Sequence, residues 1–484
     1  MHHYFYLCLL LLFSGTIDAQ LWETEIVPMT VPPPNFTTDL TGYDIQETSD
    51  GNYVFAGRYT SGLSSNLNRA PLLTKVDRTT GTIIWSKSYP VYMDASYEQE
   101  VSLVEKANGN LLVAGLINNG IFLIETNANG DTLSTHRLAS TCELVNIIGC
   151  HASTIRVRPT TDGNYILGFG TGVSPFWISN PFPFSQLFKI SPNNTVLWSK
   201  LYDREYVQDF HPTSDGGYIM SGKDINFQPM IYKVDANGDS IWQQTYSNLL
   251  IENLNSIKET ADGGYVLTGN ISGFAGFAPY LIKLNSVGAL EWQVPLGSDL
   301  GSVAHVDIDP DGNYITTGYR FIPHGGGLAV QLNAAFVTKV SPTGTILNDW
   351  VFDDLIDNSG AVVRPTSDGN YVMAGSHGSG LGVQDRGYVV KTGQILNTIQ
   401  LQEGAEIQVF PNPFVNQTNI TVAGNSYAEL QVQVFDALGR QVAQTVGSNS
   451  QQIMLKRNQL DAGVYYYKVL GDKTLLGTGK LIAQ

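Results

Sequence analysis

Charged side chains, and basic ones above all, are scarce in this 484-residue sequence. Asp, Glu, Lys and Arg make up only 14% of it, and 27 basic side chains stand against 43 acidic ones, for a formal net charge of −16. Such an excess of negative charge repels phosphate backbones and anionic lipid headgroups. We therefore expect no nucleic-acid partner.

Long apolar runs are also missing beyond residue 19. No later segment approaches the roughly 18 consecutive apolar residues of a transmembrane helix, so we expect no membrane insertion. Residues 1–19 combine an apolar run, Leu7 to Phe13, with small and turn residues that end at Ala19. This is the pattern of a signal peptide that is removed on export. Cys8 lies inside the apolar run, which does not support a lipoprotein cleavage site.

Cysteine is rare, with three residues in the whole chain. Removal of residues 1–19 leaves Cys142 and Cys150, in a protein bound for an oxidising compartment. We predict that these two form a disulfide that staples a loop. A metal or redox pair is the alternative, but it would require closer spacing or accompanying His ligands.

Signatures of common enzyme classes are absent from the sequence. It contains no Gly-x-Ser-x-Gly elbow, no His-Glu-x-x-His and no phosphate-binding loop. We therefore predict a non-catalytic protein without a cofactor or a metal. A glycosidase stays open as an alternative, because folding can bring together two carboxylates from distant positions.

Glycine and tyrosine are abundant, with 49 and 24 residues, as in proteins built from short strands and tight turns. One phrase, Asp/Asn-Gly-Asn/Gly followed by Tyr or Leu, occurs seven times at intervals of about 50 residues. The Asp-Gly or Asn-Gly dipeptide that begins this phrase accepts positive φ and forms a tight hairpin turn. In six repeats a Gly follows seven positions later, where we expect the second strand to end, and the third repeat has Phe169 there. The phrases begin at Asp50, Asn108, Asp162, Asp215, Asp262, Asp311 and Asp368.

A second phrase follows the first in each repeat: an apolar strand with a Lys, a polar turn and another apolar strand. Each repeat therefore has four strands. We interpret the Lys residues as side chains that snorkel to solvent from one repeated strand position. They are Lys75, Lys189, Lys233, Lys283, Lys339 and Lys391, with Glu125 in the second repeat. Trp85, Trp198, Trp242 and Trp292 follow in the last strands.

Seven four-stranded units predict an all-β fold, a seven-bladed β-propeller over residues 20–400. The repeats resemble those of bacterial surface β-propellers with Asp-Gly-Gly-Tyr motifs, over roughly residues 40–400. This resemblance implies a fold and not a chemistry. Leu21-Trp22-Glu23-Thr24 reads like a last strand of the repeat and is a candidate to complete the final blade, whose own turn at Thr392-Gly393 is abbreviated.

The repeat ends near residue 400, and the alternating patterns of residues 401–484 predict a small antiparallel β-sandwich. Four motifs occur there in order: residues 409–414 (VFPNPF), 435–440 (FDALGR), 460–465 (LDAGVY) and 479–484 (GKLIAQ). They resemble the type A C-terminal sorting domain of the type IX, or Por, secretion system. The motif residues are Pro411, Asn412, Pro413, Gly439, Gly463, Tyr465 and Lys480.

This resemblance implies the type IX secretion machinery as a partner. It also implies passage through the periplasm and outer membrane of a Gram-negative bacterium. Removal of the domain commonly follows, with either release of the protein or its attachment to surface lipopolysaccharide.

Propellers carry alternate connections on opposite faces, and here one set is uniformly tight whereas the other is long and irregular. We expect function on the face with the long loops. Aromatic side chains in those loops, beside carboxylates of the inter-blade connections, suit a sugar or a basic protein partner. The alternative without a ligand is that these aromatic side chains only pack the loops against the blades. The candidate ligand-binding residues are Phe176, Trp177, Phe274, Phe277, Tyr319 and Phe321.

The sequence as a whole thus predicts a secreted or cell-surface, monomeric and non-catalytic propeller that binds glycan or protein. A polysaccharide-processing enzyme such as a glycosidase is the first alternative. A structural cell-envelope protein is the second.

Overall fold

The computed structural model describes residues 20–26, 37–63, 66–89, 100–117, 120–138, 151–172, 184–203, 206–246, 251–273, 276–297, 300–324, 330–352, 357–378, 386–392, 407–422, 427–435, 441–457, 460–471 and 474–483. The chain divides into two compact units, residues 1–393 and 394–484. The signal peptide at residues 1–19 and the pair Cys142 and Cys150 lie outside the described residues and stay predictions. Within the described ranges, no helix is long and apolar enough to cross a membrane.

The first unit consists of seven sheets, each of four antiparallel strands, which we call blades 1 to 7. Strand β1 (Gln20–Ile26) precedes blade 1, which contains β2 (Thr37–Glu47), β3 (Tyr53–Leu63), β4 (Asn66–Val76) and β5 (Ile83–Ser88). Blade 2 contains β6 (Val101–Glu105), β7 (Leu111–Ile117), β8 (Gly120–Thr126) and β9 (Thr132–Leu138). Blade 3 contains β10 (His151–Pro159), β11 (Tyr165–Gly172), β12 (Phe184–Ile190) and β13 (Val196–Asp203). Blade 4 contains β14 (Tyr206–Pro212), β15 (Tyr218–Lys223), β16 (Pro229–Val234) and β17 (Ser240–Thr245).

The remaining blades repeat this order. Blade 5 contains β18 (Ile251–Glu259), β19 (Tyr265–Gly273), β20 (Gly276–Leu284) and β21 (Leu290–Pro295). Blade 6 contains β22 (Gly301–Ile308), β23 (Tyr314–His324), β24 (Val330–Val340) and β25 (Ile346–Phe352). Blade 7 contains β26 (Asp357–Pro365), β27 (Tyr371–Gly378) and β28 (Arg386–Thr392), and its fourth strand is β1.

The first strands of neighbouring blades contact one another all the way round. Strands β2, β6, β10, β14, β18, β22 and β26 therefore form a closed ring around a central channel. This is the predicted seven-bladed β-propeller. Strand β1 completes blade 7 by antiparallel pairing with β28, with Glu23 opposite Val390 and Glu25 opposite Tyr388. The last strand thus comes from the segment that the sequence singles out for this place.

The repeated phrase forms the turn between the first two strands of a blade. In blade 1 the Asp50 carboxylate accepts hydrogen bonds from the Thr48 hydroxyl (2.7 Å) and the Asn52 amide (3.1 Å). Gly51 has a φ of 84°, in the left-handed region that is strained for other residues. In blade 1, a short acidic side chain followed by Gly therefore fixes the hairpin.

The repeated Lys residues do not reach solvent, so the snorkelling interpretation is wrong. Lys283 has only 2% of its side chain exposed and pairs with the turn residue Asp262 at 2.9 Å. Burial of an ammonium group requires such a partner. The same pairing within one blade occurs at Lys75–Asp50 (2.5 Å), Lys189–Asp162 (2.5 Å), Lys233–Asp215 (2.8 Å) and Lys391–Asp368 (2.5 Å). In blade 6, Lys339 pairs with Asp309 (2.9 Å).

Blade 2 has the same turn ion pair with its charges exchanged. Glu125 lies at the Lys position, and Lys106, two residues before Asn108 of the turn, pairs with it at 2.6 Å. The Lys106 ammonium group also donates to the Pro192 carbonyl (2.7 Å) and to the Asn194 side chain (3.0 Å) of blade 3. The one exception in the Lys column therefore preserves a buried ion pair.

Aromatic contacts join consecutive blades at five of the interfaces in the described structure. A Trp of the fourth strand packs against the Tyr that begins the second strand of the following blade. The ring centroids are 5.9–6.1 Å apart in Trp22–Tyr53, Trp198–Tyr218, Trp242–Tyr265, Trp292–Tyr314 and Trp350–Tyr371. Both aromatic positions of the repeat thus serve the interfaces between blades.

The Gly seven positions after the turn lies inside the second strand, contrary to the prediction that the strand ends there. A Cβ on Gly375 would lie 1.8 Å from the Ser359 carbonyl oxygen of the first strand. The close approach accompanies a β-bulge between Gly360 and Val362, and similar bulges occur in blades 1, 4, 5 and 6. Blade 3, with Phe169 in place of the Gly, has its bulge nearer the start of the strand.

The second unit is an antiparallel β-sandwich, as predicted. Its strands are β29 (Ile407–Phe410), β30 (Gln417–Val422), β31 (Tyr427–Phe435), β32 (Gln441–Ser450), β33 (Gln452–Lys456), β34 (Gly463–Gly471) and β35 (Thr474–Ala483). They form the sheets β29-β30-β33 and β32-β31-β34-β35. Alternate side chains of both sheets, such as Ile420 and Ile453 from one and Val432 and Val469 from the other, share one core.

Reversing the charge at position 125 will destabilise blade 2. Glu125→Lys places a second ammonium group beside buried Lys106, and we expect the free energy of unfolding to fall by about 3–5 kcal/mol. Adding Lys106→Thr and Asn108→Asp rebuilds the arrangement of blade 1 and should restore most of the loss. Guanidinium denaturation followed by circular dichroism measures both effects. A triple variant no more stable than the single one would contradict this account.

The turn ion pairs also make the propeller sensitive to acid. Burial alone would raise the pKa of Asp262, but hydrogen bonds from Thr260 and Lys283 lower this pKa to about 2. The pKa values of Asp50 and Asp215 are likewise lowered to about 2. A carboxyl with a lower pKa in the folded than in the unfolded state stabilises the fold above its unfolded value. This contribution is lost as the pH falls through the folded value. The melting temperature should therefore drop between about pH 4 and pH 2.

Calorimetry of the wild type and of an Asp50→Asn, Asp215→Asn, Asp262→Asn triple variant tests this dependence. We expect the triple variant to melt lower at neutral pH and to respond less to acid. Asp311→Asn is the matched control, because Lys339 of that blade pairs with Asp309 instead. Equal acid responses of the wild type and the triple variant would rule out these ion pairs as the cause.

Candidate functional site

The β-bulges of five inner strands each direct an extra residue to the channel. Gln208 is the extra residue of β14, and Asn255 belongs to the second of two bulges in β18. Bulges re-aim side chains in this way next to functional sites in many proteins. One bulge residue from each of blades 1, 4, 5, 6 and 7 lines the same cavity: Tyr43, Gln208, Asn255, Ala304 and Ala361.

This loop-face cavity has a volume of about 330 Å³ and lies where the first strands begin, at the face that carries the longer connections. All seven blades contribute to it. Its lining consists of Thr41, Gly42, Tyr43, Glu100, Thr154, Arg156, Gln208, Asn255, Ser302, Val303, Ala304, Tyr319, Ser359, Gly360, Ala361 and Ser376. Hydroxyl and amide groups dominate this set, so the cavity can offer many neutral hydrogen-bonding groups.

Two amide side chains of the lining differ in their hydrogen bonding. Asn255 donates from Nδ2 to the Val303 carbonyl of blade 6 (2.5 Å), which fixes its orientation. The Gln208 Oε1 is buried and has no hydrogen-bond partner among the described residues. An unpaired buried acceptor costs free energy unless a water or a ligand satisfies it.

Arg156 and Glu100 are the only charged side chains among the described residues of the lining. Arg156 pairs with Glu100 across blades 2 and 3 and also donates to the Ile155 carbonyl (2.9 Å). Burial raises the pKa of Glu100 despite this partner. Burial alone would lower the pKa of Arg156, but the carboxylates of Glu100 and Asp209 raise it above its usual range. The guanidinium group therefore stays charged in the cavity wall.

Two tyrosine rings supply the aromatic surface of the cavity. Tyr43 carries the Arg58 guanidinium group 5.7 Å from its ring centroid. Tyr319 packs edge to face against Phe321, with centroids 5.5 Å apart. Both rings are half-buried, so each is supported on one side and open on another.

A layer of buried ionic groups closes the channel below the loop-face cavity. Arg364 bonds Asp44 at 3.0 Å and donates from Nε to the Ile45 carbonyl (3.0 Å), which joins blade 7 to blade 1. Arg158 repeats this geometry between blades 3 and 4, on Asp209 (2.7 Å) and the Phe210 carbonyl (2.8 Å). Lys258 pairs with Asp307 between blades 5 and 6. The cations are Arg156, Arg158, Lys258 and Arg364, and the anions are Asp44, Glu100, Asp209 and Asp307.

The cations and anions of this ion layer are equal in number. Burial alone would raise the pKa values of Asp209 and Asp307, but the neighbouring cations hold both below their usual range. His305 lies in the same layer, and burial and Arg364 hold its pKa well below its usual value. The positive and negative charges of the layer therefore balance at ordinary pH, and His305 is uncharged.

The predicted ligand-binding residues fall into three groups. Tyr319 lines the loop-face cavity, and Phe321 supports it. Phe277 is half exposed on β20 but is not part of the lining. Phe176, Trp177 and Phe274 lie outside the described residues and stay predictions.

Sequence reasoning concentrated on loop aromatics and missed the inner strands, which supply most of the lining. Arg156, Gln208 and Asn255 lie six or seven positions before the Asp that begins the turn phrase of their blade. The strands that contain them otherwise have the apolar pattern of the repeat. A signal was present, because polar residues recur at these positions in several repeats although the strands are buried.

Glu100 is the only carboxylate among the described residues that line the cavity, whereas glycoside hydrolysis usually requires two. Across the described parts of the chain, no group of three or more His, Cys, Asp or Glu side chains is placed to hold a metal ion. The cavity is thus equipped for hydrogen bonding and stacking.

In the second unit, two of the C-terminal motifs meet through one side chain. Asn412 donates from Nδ2 to the Lys480 carbonyl (2.7 Å) and accepts from the Ile482 amide at Oδ1 (2.9 Å). The flanking Pro411 and Pro413 each follow a cis peptide bond. Tyr465 donates its hydroxyl to the Asp461 carbonyl (3.0 Å), within the third motif.

The other motif residues are Gly463, Lys480 and Gly439. Gly463 begins β34, and Lys480 is exposed on β35. Gly439 lies outside the described residues. The described contacts show that Asn412 and Tyr465 act within the sandwich itself.

Comparison with known proteins separates the two units. No curated protein matches the chain. Among solved structures, the extracellular domain of a hybrid two-component system from B. thetaiotaomicron shares 11% identity, covers 92% of this chain and 67% of its own, and has a TM-score of 0.31. An exo-beta-1,3-galactanase from Phanerochaete chrysosporium, solved with beta-1,3-galactotriose, shares 11% identity, covers 79% of this chain and 95% of its own, and has a TM-score of 0.35. At this distance the likenesses carry no information on ligand or activity.

The C-terminal unit is assigned by its family. Residues 408–484 match the secretion system C-terminal sorting domain, named Por_Secre_tail. This domain implies handling by the type IX secretion machinery and secretion or surface display in a Gram-negative bacterium of the Bacteroidetes type. The chain therefore joins a seven-bladed β-propeller to a C-terminal sorting domain.

Proposed function

We propose that the exported propeller is a non-catalytic binding protein that holds a saccharide in its loop-face cavity. The observation that carries this proposal is the convergence of all seven blades on one cavity lined mainly by hydroxyl and amide groups, with two tyrosine rings. A cavity of about 330 Å³ is within the range of small-molecule sites, about 300–1,000 Å³.

The lining matches the chemistry of a sugar. Gln208, Asn255 and the Ser residues can donate to and accept from hydroxyl groups, and the rings of Tyr43 and Tyr319 offer apolar surface to a pyranose face. The unpaired Oε1 of Gln208 supplies an acceptor that the fold itself leaves unused. A polyhydroxylated ligand can satisfy such groups where an apolar ligand would leave them buried and unpaired.

The charge pattern supports binding rather than hydrolysis. Glu100 is held by Arg156, and no second carboxylate lies among the described lining residues. A glycosidase would need a general acid and a nucleophile or base at a defined separation. We therefore prefer a binding function to the enzymatic alternative.

Removal of the Tyr319 ring should abolish most of the binding. The full chain should bind members of a polysaccharide and oligosaccharide panel. Tyr319→Ala should weaken the best ligand by about tenfold or more, because one stacked aromatic ring contributes about 1–3 kcal/mol. Isothermal titration calorimetry measures the affinity, and chromatography of the bound sugar detects any cleavage.

Phe227→Ala is the matched control, since Phe227 is an exposed aromatic residue at the same face but does not line the cavity. Equal losses in both variants would disprove the assignment of the site. Cleavage that disappears in Glu100→Gln would establish the glycosidase alternative instead. No binding across the panel would leave a protein ligand or a structural role in the envelope.

The sorting motifs should act by building the sandwich on which export depends. Asn412→Ala removes two hydrogen bonds to the last strand and should destabilise the C-terminal unit by about 1–3 kcal/mol. We expect less protein outside the cell and more in the periplasm, as measured by fractionation and immunoblotting in a host with type IX secretion. Asn416→Ala, at a nearby exposed position, serves as the control. Normal export of Asn412→Ala, or of a chain truncated after Gln400, would contradict this role.

A further inference from the structure

A second cavity lies at the other end of the channel, where the first strands end in their tight turns. This turn-face cavity has a volume of about 410 Å³ and is lined mainly by residues of blades 2, 3 and 4. Its polar side chains include Gln46, Arg158, Thr161, His211, Ser214 and Arg364. The ion layer separates it from the loop-face cavity, and the two cavities have no lining residue in common.

The charged side chains that line the turn-face cavity are both cationic, in a strongly acidic protein. Its described lining contains two guanidinium groups and no Asp or Glu, although the chain as a whole has a formal net charge of −16. The carboxylates that pair with Arg158 and Arg364 belong to the ion layer and are not part of the lining. Glu259 at the rim is engaged by the Ser214 amide (2.6 Å).

Arg158 is held as a preorganised donor. Its side chain is only 8% exposed, with Nε bonded to the Phe210 carbonyl (2.8 Å) and Nη2 to Asp209 (2.7 Å). Its Nη1 has no hydrogen-bond partner among the described residues. A buried, oriented guanidinium group with free N–H donors is the group that proteins use to bind carboxylate and phosphate oxygens.

The surroundings of Arg158 add to this preference. Arg364 donates to Asp44, Asp307 and the Ile45 carbonyl, so its position in the wall is fixed as well. His211 donates from Nδ1 to the Pro212 carbonyl (2.8 Å), so in its neutral form Nε2 is free to accept a hydrogen bond. Leu103, Val104 and Val157 give the cavity an apolar wall.

We propose that the turn-face cavity is a second ligand site, which binds the oxyanion of a small molecule, a carboxylate or a phosphate, on Arg158 with Arg364 beside it. The oxyanion accepts hydrogen bonds from the free Arg158 donors, and the rest of the molecule lies against the apolar wall. This site is independent of saccharide binding at the loop face.

Binding of inorganic phosphate and of succinate to the full chain tests the proposal, by isothermal titration calorimetry at constant ionic strength. Saturable binding of either probe is expected, and the preferred probe identifies the class of oxyanion. Thr161→Glu adds a negative charge at an exposed turn residue of the lining and should weaken binding by about tenfold or more. Ala261→Glu is the matched control, because Ala261 is the equivalent exposed turn residue of blade 5 and is not in the lining.

Three further variants make the outcome decisive. Thr161→Lys should strengthen binding, and Tyr319→Ala at the loop face should leave it unchanged. Arg158→Gln should abolish binding, and its melting temperature reports whether the fold survives the change. Failure of both probes to saturate, or equal effects of Thr161→Glu and Ala261→Glu, would overturn the proposal without affecting the loop-face site.

Discussion

The structure depends on the pairing of β1 with β28. This antiparallel pair joins Glu25 to Tyr388, residues at opposite ends of the propeller sequence, and gives blade 7 its fourth strand. It also places Trp22 against Tyr53, which seals the interface between blades 7 and 1. An open ring would expose a sheet edge and separate the inner strands. Both cavities lie on the channel, so neither could form in an open array.

The repeated and the unrepeated residues have separate tasks. Residues that recur in most repeats, such as Lys283 with Asp262 and Trp242 with Tyr265, tie strands to turns and blades to one another. Residues that differ from blade to blade occupy equivalent positions of the inner strands and supply the chemistry of the channel. One scaffold can therefore hold an asymmetric site, because the repeated turn ion pairs and aromatic contacts do not depend on the identity of the channel residues.

The sequence predicted what depends on local chemistry. The Asp-Gly turns, the four strands per repeat, the closing strand at Trp22 and the sorting motif at Asn412 all follow from residues that are neighbours in the chain. The role of Lys283 was not predicted, since a Lys in a strand can snorkel or pair, and only the fold shows which turn it faces. The site residue Gln208 was missed for a related reason: its place in the channel results from a bulge, which leaves little trace in a single sequence.

The ion layer explains why the channel works as two separate cavities rather than as a pore. Its cations and anions are equal in number, and each is held by partners from a neighbouring blade, as Arg364 is by Asp44 and Arg158 by Asp209. To open a path, a blade interface would have to leave buried charges unpaired, which costs several kcal/mol. A ligand at one end therefore meets a floor of paired charges. Each face of the propeller can accordingly evolve its own specificity, with hydroxyl and amide groups at the loop face and guanidinium groups at the turn face.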